Sequence, residues 1–264
     1  MVKGLYTAYT GMINEQRRLD ILSNNLANAD TNGYKKEGTT SRTFADEIAI
    51  RIKDSSVHKI PQALGGMSMG VHIGQTYTDY DQGSFKVTDN QTDFAIAGEG
   101  FFAIAYTDKA GNTSVKYTRD GAFIINTQGY LVTKDGDFVL NRDGAMNGNP
   151  GARIQVDPTQ KIIVDETGAI YQNDQLVGQI GTVDFENYDY LAKFGENLYD
   201  MVDGGVRIAS DAKVEQGLLE ASNVNVVSEM VNMITISRAY QAGQKVINAI
   251  DETLDKAVNQ VGKV

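Results

Sequence analysis

Between Asn225 and Val261 apolar residues recur at every seventh position: Val226, Met233, Tyr240, Ile247, Leu254 and Val261. Three residues beyond these positions stand Ile236, Ile250 and Ala257, and four residues beyond stand Met230 and Val258. That spacing makes a narrow apolar seam of the coiled-coil kind. Asn225 is placed to cap the helix start, and Glu229 puts negative charge in its first turn, where unsatisfied N–H groups lie. No proline interrupts the run, and Gly243 is its only interior glycine. At about 1.5 Å per residue such a helix is roughly 55 Å long. A seam that long and narrow requires a partner. The bland alternative is a helix laid across its own globular domain.

The candidate partner is at the other terminus. Leu5, Met12, Leu19 and Leu26 again fall seven apart, with Ala8, Leu22 and Ala29 stepping between them. Asn14, Glu15, Gln16, Arg17, Arg18, Asp20, Asn24 and Asn25 supply the polar face, so this is a second amphipathic helix. It ends in the breaker cluster Asn28-Ala29-Asp30-Thr31-Asn32-Gly33, where Gly33 is suited to a left-handed backbone. Ile13 and Ile21 lie off the first seam, and Val227 and Ile234 lie off the second. These side faces are candidates for contact with other copies of the chain, although scattered surface apolars are ordinary.

The period changes in the middle of the chain. Residues 61–75, with Pro61, Gly65, Gly66, Gly70 and Gly74, read as a loop-rich connector. Phe44, Ile48, Ile50 and Ile52 are interspersed with charges and fit a short helix or a strand. From about Gln75 the alternation is by twos. Strand-like runs follow at 76–80, 84–87, 94–97, 101–106, 114–117, 122–125, 130–132, 138–140, 162–164, 169–171 and 181–185. Turn signals such as Gly98-Glu99-Gly100, Lys134-Asp135-Gly136-Asp137 and Asn141-Arg142-Asp143-Gly144 separate them. From Leu191 to Asp211 the signal weakens, and this stretch is expected to return the chain to the helices. The expected fold class is α+β: long N- and C-terminal helices pairing as a coiled coil, with an inserted antiparallel all-β domain. The expected division is residues 1–34 with 222–264 as a terminal helical domain, 35–75 with 200–221 as a connector region, and 76–199 as a β-rich outer domain.

Composition excludes several function classes. With 264 residues and 41% hydrophobic content the chain can bury two or three compact units. A formal net charge of −10, with no basic cluster to reverse it locally, argues against nucleic acid or an anionic membrane surface as a primary partner. The absence of cysteine removes disulfides, thiol catalysis and cysteine-ligated metals. The first residues contain no continuous apolar signal region, and no stretch reaches membrane-spanning length. An extracytoplasmic location would need a route without a cleaved signal.

No catalytic, cofactor or metal site emerges. The two histidines, His58 and His72, stand in a Gly/Pro-containing region and read as surface residues. Gly98-Glu99-Gly100 lacks a third glycine at the nucleotide-binding offset and precedes a strand, so it reads as a turn. The Asp/Asn-Gly repeats at 135–137 and 141–144 lack the terminal glutamate of a calcium loop and read as hairpin turns. Thirteen tyrosines spread through alternating strands are half-buried sheet residues more simply than a sugar- or base-binding face.

Several segments resemble one family. Ser23-Asn24-Asn25-Leu26-Ala27-Asn28-Ala29-Asp30-Thr31-Asn32-Gly33-Tyr34-Lys35 is similar to the N-terminal signature of the flagellar axial proteins, which form the basal-body rod and the hook. Glu220-Ala221-Ser222-Asn223-Val224-Asn225, followed by Glu229 to Ile234 and Arg238-Ala239-Tyr240, resembles the closing motif of that family. The segments 94–102, 117–123, 129–133 and 195–199 are similar to its central β region. Ser237 stands where the family usually has glutamine, Gly243 where asparagine is common, and 88–93 is looser than the usual turn.

The resemblance, closest to the distal-rod type, implies a structural subunit that polymerises helically into the shaft passing torque from motor to hook. It implies no enzyme activity and no cofactor. The implied partners are further copies of the chain, other rod and hook proteins, the flagellar type III export apparatus and ring bushing proteins. The implied location is the basal body in the periplasm or cell wall, reached without a cleaved signal. The assembly residues would be Leu5, Met12, Leu19, Leu22, Leu26, Val226, Met230, Met233, Tyr240, Ile247, Ile250, Leu254 and Val258. The family motif falls on Asn25, Ala27, Asn28, Thr31, Gly33 and Tyr34. A length of 264 favours rod over hook. The alternatives are a hook or hook-junction protein, or a ligand-binding β domain with dimerising helices.

Overall fold

The computed structural model describes residues 2–51 and 62–261. His58, Ile52 and Pro61 lie outside the described residues. Two compact units are present. One comprises residues 1–27, 36–79 and 224–264, and the other residues 28–35 and 80–223.

The first unit holds two long helices, α1 (Val2–Ala27) and α3 (Val226–Lys256), continued by a π-helical turn at Ala257–Val261. A short helix, α2 (Arg142–Asn147), falls between them in sequence and belongs to the second unit. Asn225 caps α3 as its residue type suggests, its side chain accepting a hydrogen bond from the Ser228 amide, with Glu229 in the first turn. Residues 37–51 and 62–78 are largely strand, including most of the described part of the 61–75 segment that reads as a loop-rich connector. They form a paired β arm, with β1 (Glu37–Thr43) antiparallel to β4 (Val71–Thr78) and β2 (Glu47–Arg51) antiparallel to β3 (Gln62–Met67). Of the glycines that suggested a loop, Gly70 serves a close approach, whereas nothing lies within 4 Å of a Cβ added to Gly65. A Cβ on Gly70 (φ +127°) would meet the Thr10 hydroxyl of α1, and one on Gly38 would strike the Tyr77 ring across the strand pair. His72 sits exposed on β4 with its ring 4.7 Å from that of Phe44.

The second unit contains β5 (Phe85–Val87), β6 (Phe94–Ala97), β7 (Phe101–Thr107), β8 (Thr113–Thr118), β9 (Ile124–Ile125), β10 (Leu131–Val132) and β11 (Phe138–Val139). After α2 come β12 (Ile163–Val164), β13 (Ala169–Gln172), β14 (Gln175–Gln179), β15 (Thr182–Phe185), β16 (Leu191–Gly195), β17 (Leu198–Met201), β18 (Arg207–Ala209), β19 (Lys213–Gln216) and β20 (Leu218–Glu220). Every described pairing is antiparallel. The main sheet runs β16-β17-β8-β7-β11-β10-β9, with β15 bridging β7 and β18. Its centre is β7, whose residues Phe101 to Ala105 are all buried. Alternate side chains feed two cores. Phe102 joins Phe94, Ile96, Phe123 and Ile170, while Phe101, Ala103 and Ala105 join Tyr117, Leu140, Phe185 and Tyr199.

Two expectations are corrected here. Asn141-Arg142-Asp143-Gly144 is not a hairpin turn but the start of α2, with the Asn141 side chain accepting from the Gly144 amide and Gly148 closing the helix at φ +69°. Residues 191–211 do not lead back to helix. They supply β16, β17 and β18, and their signal is weak because β16 and β18 are short edge strands with exposed Phe194 and Ile208.

Candidate assembly interface

The two long helices pack side by side and antiparallel. A Cβ on Gly4 would lie 3.9 Å from Ile250 Cδ1, and one on Gly243 would come within 2.7 Å of Met12 Cγ. Gly243 is therefore a seam residue, which periodicity overlooked because it carries no side chain. Burial along α3 follows a seven-residue spacing shifted from the expected seam: Glu229 and Ile236 are buried and Gly243 and Ile250 half-buried, while of Val226, Met233, Tyr240, Ile247 and Leu254 only Met233 and Ile247 are half-buried. On α1, Met12, Leu19, Leu22 and Leu26 are half-buried, and Leu5 is at the margin of exposure. Val226, Met230, Tyr240, Leu254 and Val258 are exposed.

The opposite side of α1 faces the β arm through polar residues. Asn14 lies within hydrogen-bond reach of the Ser41 hydroxyl through both its Nδ2 (3.1 Å) and its Oδ1 (3.2 Å). Asn25, fully buried, donates to the Glu37 carbonyl (2.8 Å) and accepts from the Glu37 amide (3.0 Å). Each buried amide is thus satisfied by a backbone or hydroxyl partner. With one face on α3 and another on the arm, α1 is covered more fully than α3.

What α3 leaves uncovered is a second apolar stripe. Val227 is 72% exposed, Val231 57% and Ile234 53%, at helical spacings of four and three, with Met230 beside them. Tyr6 and Tyr9 on α1 are more than half exposed. Singly these would be unremarkable, but a stripe on one helix face marks an interaction surface.

The motif residues after α1 belong to the β unit. The Thr31 amide and hydroxyl both bond back to Asn28, making a turn. Gly33 has φ +64°, and a Cβ there would lie 2.4 Å from the Arg119 carbonyl carbon. Tyr34 is buried beneath the Lys193 ammonium, 4.4 Å from its ring centroid, and Lys193 also donates to the Lys35 carbonyl (2.9 Å). Ala27 ends α1 and is exposed.

Next to this turn is a buried ionic cluster. Lys35 Nζ is 2.6 Å from Glu220 Oε1, and Arg119 Nη1 is 3.1 Å from Glu220 Oε2. The Gly83 amide donates to Glu220 Oε1 (2.9 Å), Lys35 also donates to the Asp81 carbonyl (2.8 Å), and Arg119 Nη2 donates to the Gly98 carbonyl (2.8 Å). The Gly33 amide donates to the Glu220 carbonyl (2.7 Å). Side-chain exposures of 1%, 4% and 0% for Lys35, Arg119 and Glu220 put the cluster in the interior. Desolvating three charges is costly, and only the close geometry and the extra hydrogen bonds offset it. All three residues fall in segments that resemble the family, but separations of 185 and 101 residues leave no local signal that pairs them. Burial also pushes the Asp120 carboxyl above the usual range, with Asp93 and Asp135 adding to it, while the Ala122 amide and Lys134 oppose it.

Three family descriptions match in order along the chain. Residues 5–35 match "Flagella basal body rod protein", 95–172 match the "Flagellar hook protein FlgE/F/G D1 domain", and 215–261 match "Flagellar basal body rod FlgEFG protein C-terminal". The flagellar basal-body rod protein FlgF of Caulobacter vibrioides is 35% identical over 266 residues, covering all of both chains. The chain belongs to the flagellar basal-body rod protein family. The flagellar hook-basal body complex protein FlhO of Bacillus subtilis is 33% identical over the whole of both chains. A FlgG rod protein of Buchnera aphidicola is 33% identical over 97% of this chain and 98% of its own. This rod-family chain is a structural subunit of the flagellar basal body and serves motility. Each of the three matched segments contributes one member of the buried cluster: Lys35 to the first, Arg119 to the second and Glu220 to the third. Among the described residues no helix is long and apolar enough to cross a membrane.

Proposed function

We propose that the subunit polymerises helically, with α1 and α3 wound as a coiled coil in an inner tube and the β unit in an outer layer. In this reading residues 1–34 and 222–264 build the tube, 76–199 the outer layer, and 35–75 with 200–221 the join between them. The observation that carries it is the uncovered stripe Val227, Met230, Val231 and Ile234 on α3. A neighbouring copy would cover it in a heterologous, non-closing contact. Torque is then borne by many repeated contacts, each modest alone. The outer stripe has no intermolecular partner before assembly, and export would run, without a cleaved signal, through the type III apparatus. Other rod and hook proteins would cap the polymer at its ends, and bushing rings would surround it.

The test uses Ile234→Asp and Ile247→Asp. A carboxylate buried without a partner costs several kcal/mol by order of magnitude. Ile234→Asp, at an exposed position, is expected to abolish rod assembly and swimming while the circular dichroism of the isolated chain stays that of the wild type. Ile247→Asp is expected to abolish assembly and also to lower helicity. Normal swimming in cells carrying Ile234→Asp would refute the proposed interface. Electron microscopy of basal bodies carrying a labelled subunit separates rod from hook.

A further inference from the structure

We propose that Glu220 is a closing latch. It fastens the segment 28–35 to the β unit, and it can act only after β20, the last strand before the C-terminal helix, has joined that unit. The inference rests on the buried cluster and does not depend on how copies of the chain associate.

The geometry makes Glu220 the centre of the latch. Its two carboxylate oxygens divide between Lys35 and Arg119, its Oε1 also takes the Gly83 amide, and its carbonyl takes the Gly33 amide. Three segments far apart in sequence are therefore tied to one residue. Among the described residues, the carboxylate paired with the Arg119 guanidinium is that of Glu220. Arg119 follows directly on β8, in the middle of the main sheet order, and is itself buried. Until residue 220 arrives, closing the sheet around Arg119 would enclose a cation without this countercharge, which is strongly unfavourable. Residue 220 is brought in by β20, which pairs with β5 through Leu218–Val87, Leu219–Lys86 and Glu220–Phe85, and the Ala221 amide then bonds to the Ser84 carbonyl. Residues 28–35 come early in the chain, yet their fastening waits for residues nearly two hundred positions later.

The latch makes two predictions for the full-length protein, both read by amide hydrogen exchange. In refolding from denaturant with pulsed labelling, the Gly33 amide is expected to gain protection in the same kinetic phase as the β5–β20 amides. Protection of Gly33 ahead of β20 would overturn the closing order. In the native state, Glu220→Gln is expected to lower protection of the Gly33 and Gly83 amides at least tenfold relative to Ala105 on β7. Unchanged protection at Gly33, or an equal loss at Gly33 and Ala105, would show that the carboxylate is not a local latch.

Lys35→Met/Arg119→Met/Glu220→Gln removes both enclosed cations together with the carboxylate. Ala105 is then expected to show wild-type protection while Gly33 stays open, a coupling that a purely packing role would not produce. If Glu220→Gln alone does not fold, this triple variant decides the question. A folded sheet with an open Gly33 supports the latch, and failure to fold overturns it.

Discussion

Two buried residues carry opposite lessons about polar groups in an interior. Asn25 is fully enclosed and completely matched, its side-chain amide giving and receiving one hydrogen bond with the backbone of Glu37. Its replacement by alanine leaves that N–H and C=O without partners, so Asn25→Ala is expected to cost about 1–3 kcal/mol of stability, measured by urea unfolding of the helical signal. Asp120 is the reverse case. Burial is the chief reason its carboxyl titrates above its ordinary value, so the folded state holds the proton more tightly than the unfolded state does. Its contribution to stability is accordingly present at low pH and is lost as pH rises through the raised value. Asp120→Asn, which retains an acceptor for the Ala122 amide, is expected to unfold at higher denaturant concentration than wild type at pH 7. The advantage should vanish below the carboxylate range. A constant difference across pH would mean that ionisation of Asp120 is not the cause. Neither role is visible in sequence, where Asn25 reads as part of a polar helix face and of the family motif, and Asp120 as part of a turn.

At the scale of elements, the two long helices were legible because seven-residue spacing repeats the same local relation many times, and a capping asparagine fixed where α3 begins. The depth of each seam residue was less legible, because periodicity assigns a face but not a partner. Met230 and Val258 fit the seam by counting and are exposed, whereas Gly243 has nothing to count and lies against Met12. The 61–75 stretch was misread for a related reason: glycine signals turns in sequence, yet Gly70 is there because α1 comes too close for a Cβ. The glycines of the helices give a direct comparison. Nothing lies within 4 Å of a Cβ added to Gly11, so Gly11→Ala is expected to raise helix stability by about 0.5–1 kcal/mol. Gly243→Ala would have the same intrinsic gain but must displace Met12, and it is expected to give no net stabilisation. Thermal melting followed at 222 nm (a wavelength about which helix content dominates the signal) distinguishes the two variants.

For the molecule as a whole, the antiparallel β unit was readable from alternating runs and turns, and most of the strands assigned from sequence are present. Those missed, β14 and β16 to β20, are three to five residues long, too short to show a clear alternation. How copies associate is a property of the whole chain, and dilution tests it. The isolated protein is expected to sediment as a monomer at low concentration and to form open, polydisperse polymers on concentration, without a plateau at a dimer. A stable dimer of fixed mass would favour the reading of a β domain with dimerising helices. The ties between Gly33 and Glu220 and between the Asn223 amide and the Tyr34 carbonyl have one more consequence. They bring the threshold where the polypeptide first enters the β unit beside the threshold where it finally leaves. A hairpin inside that unit can lengthen or shrink over evolutionary time while both thresholds stay fixed, so outward-facing variety can accumulate without disturbing the points from which the helices set out.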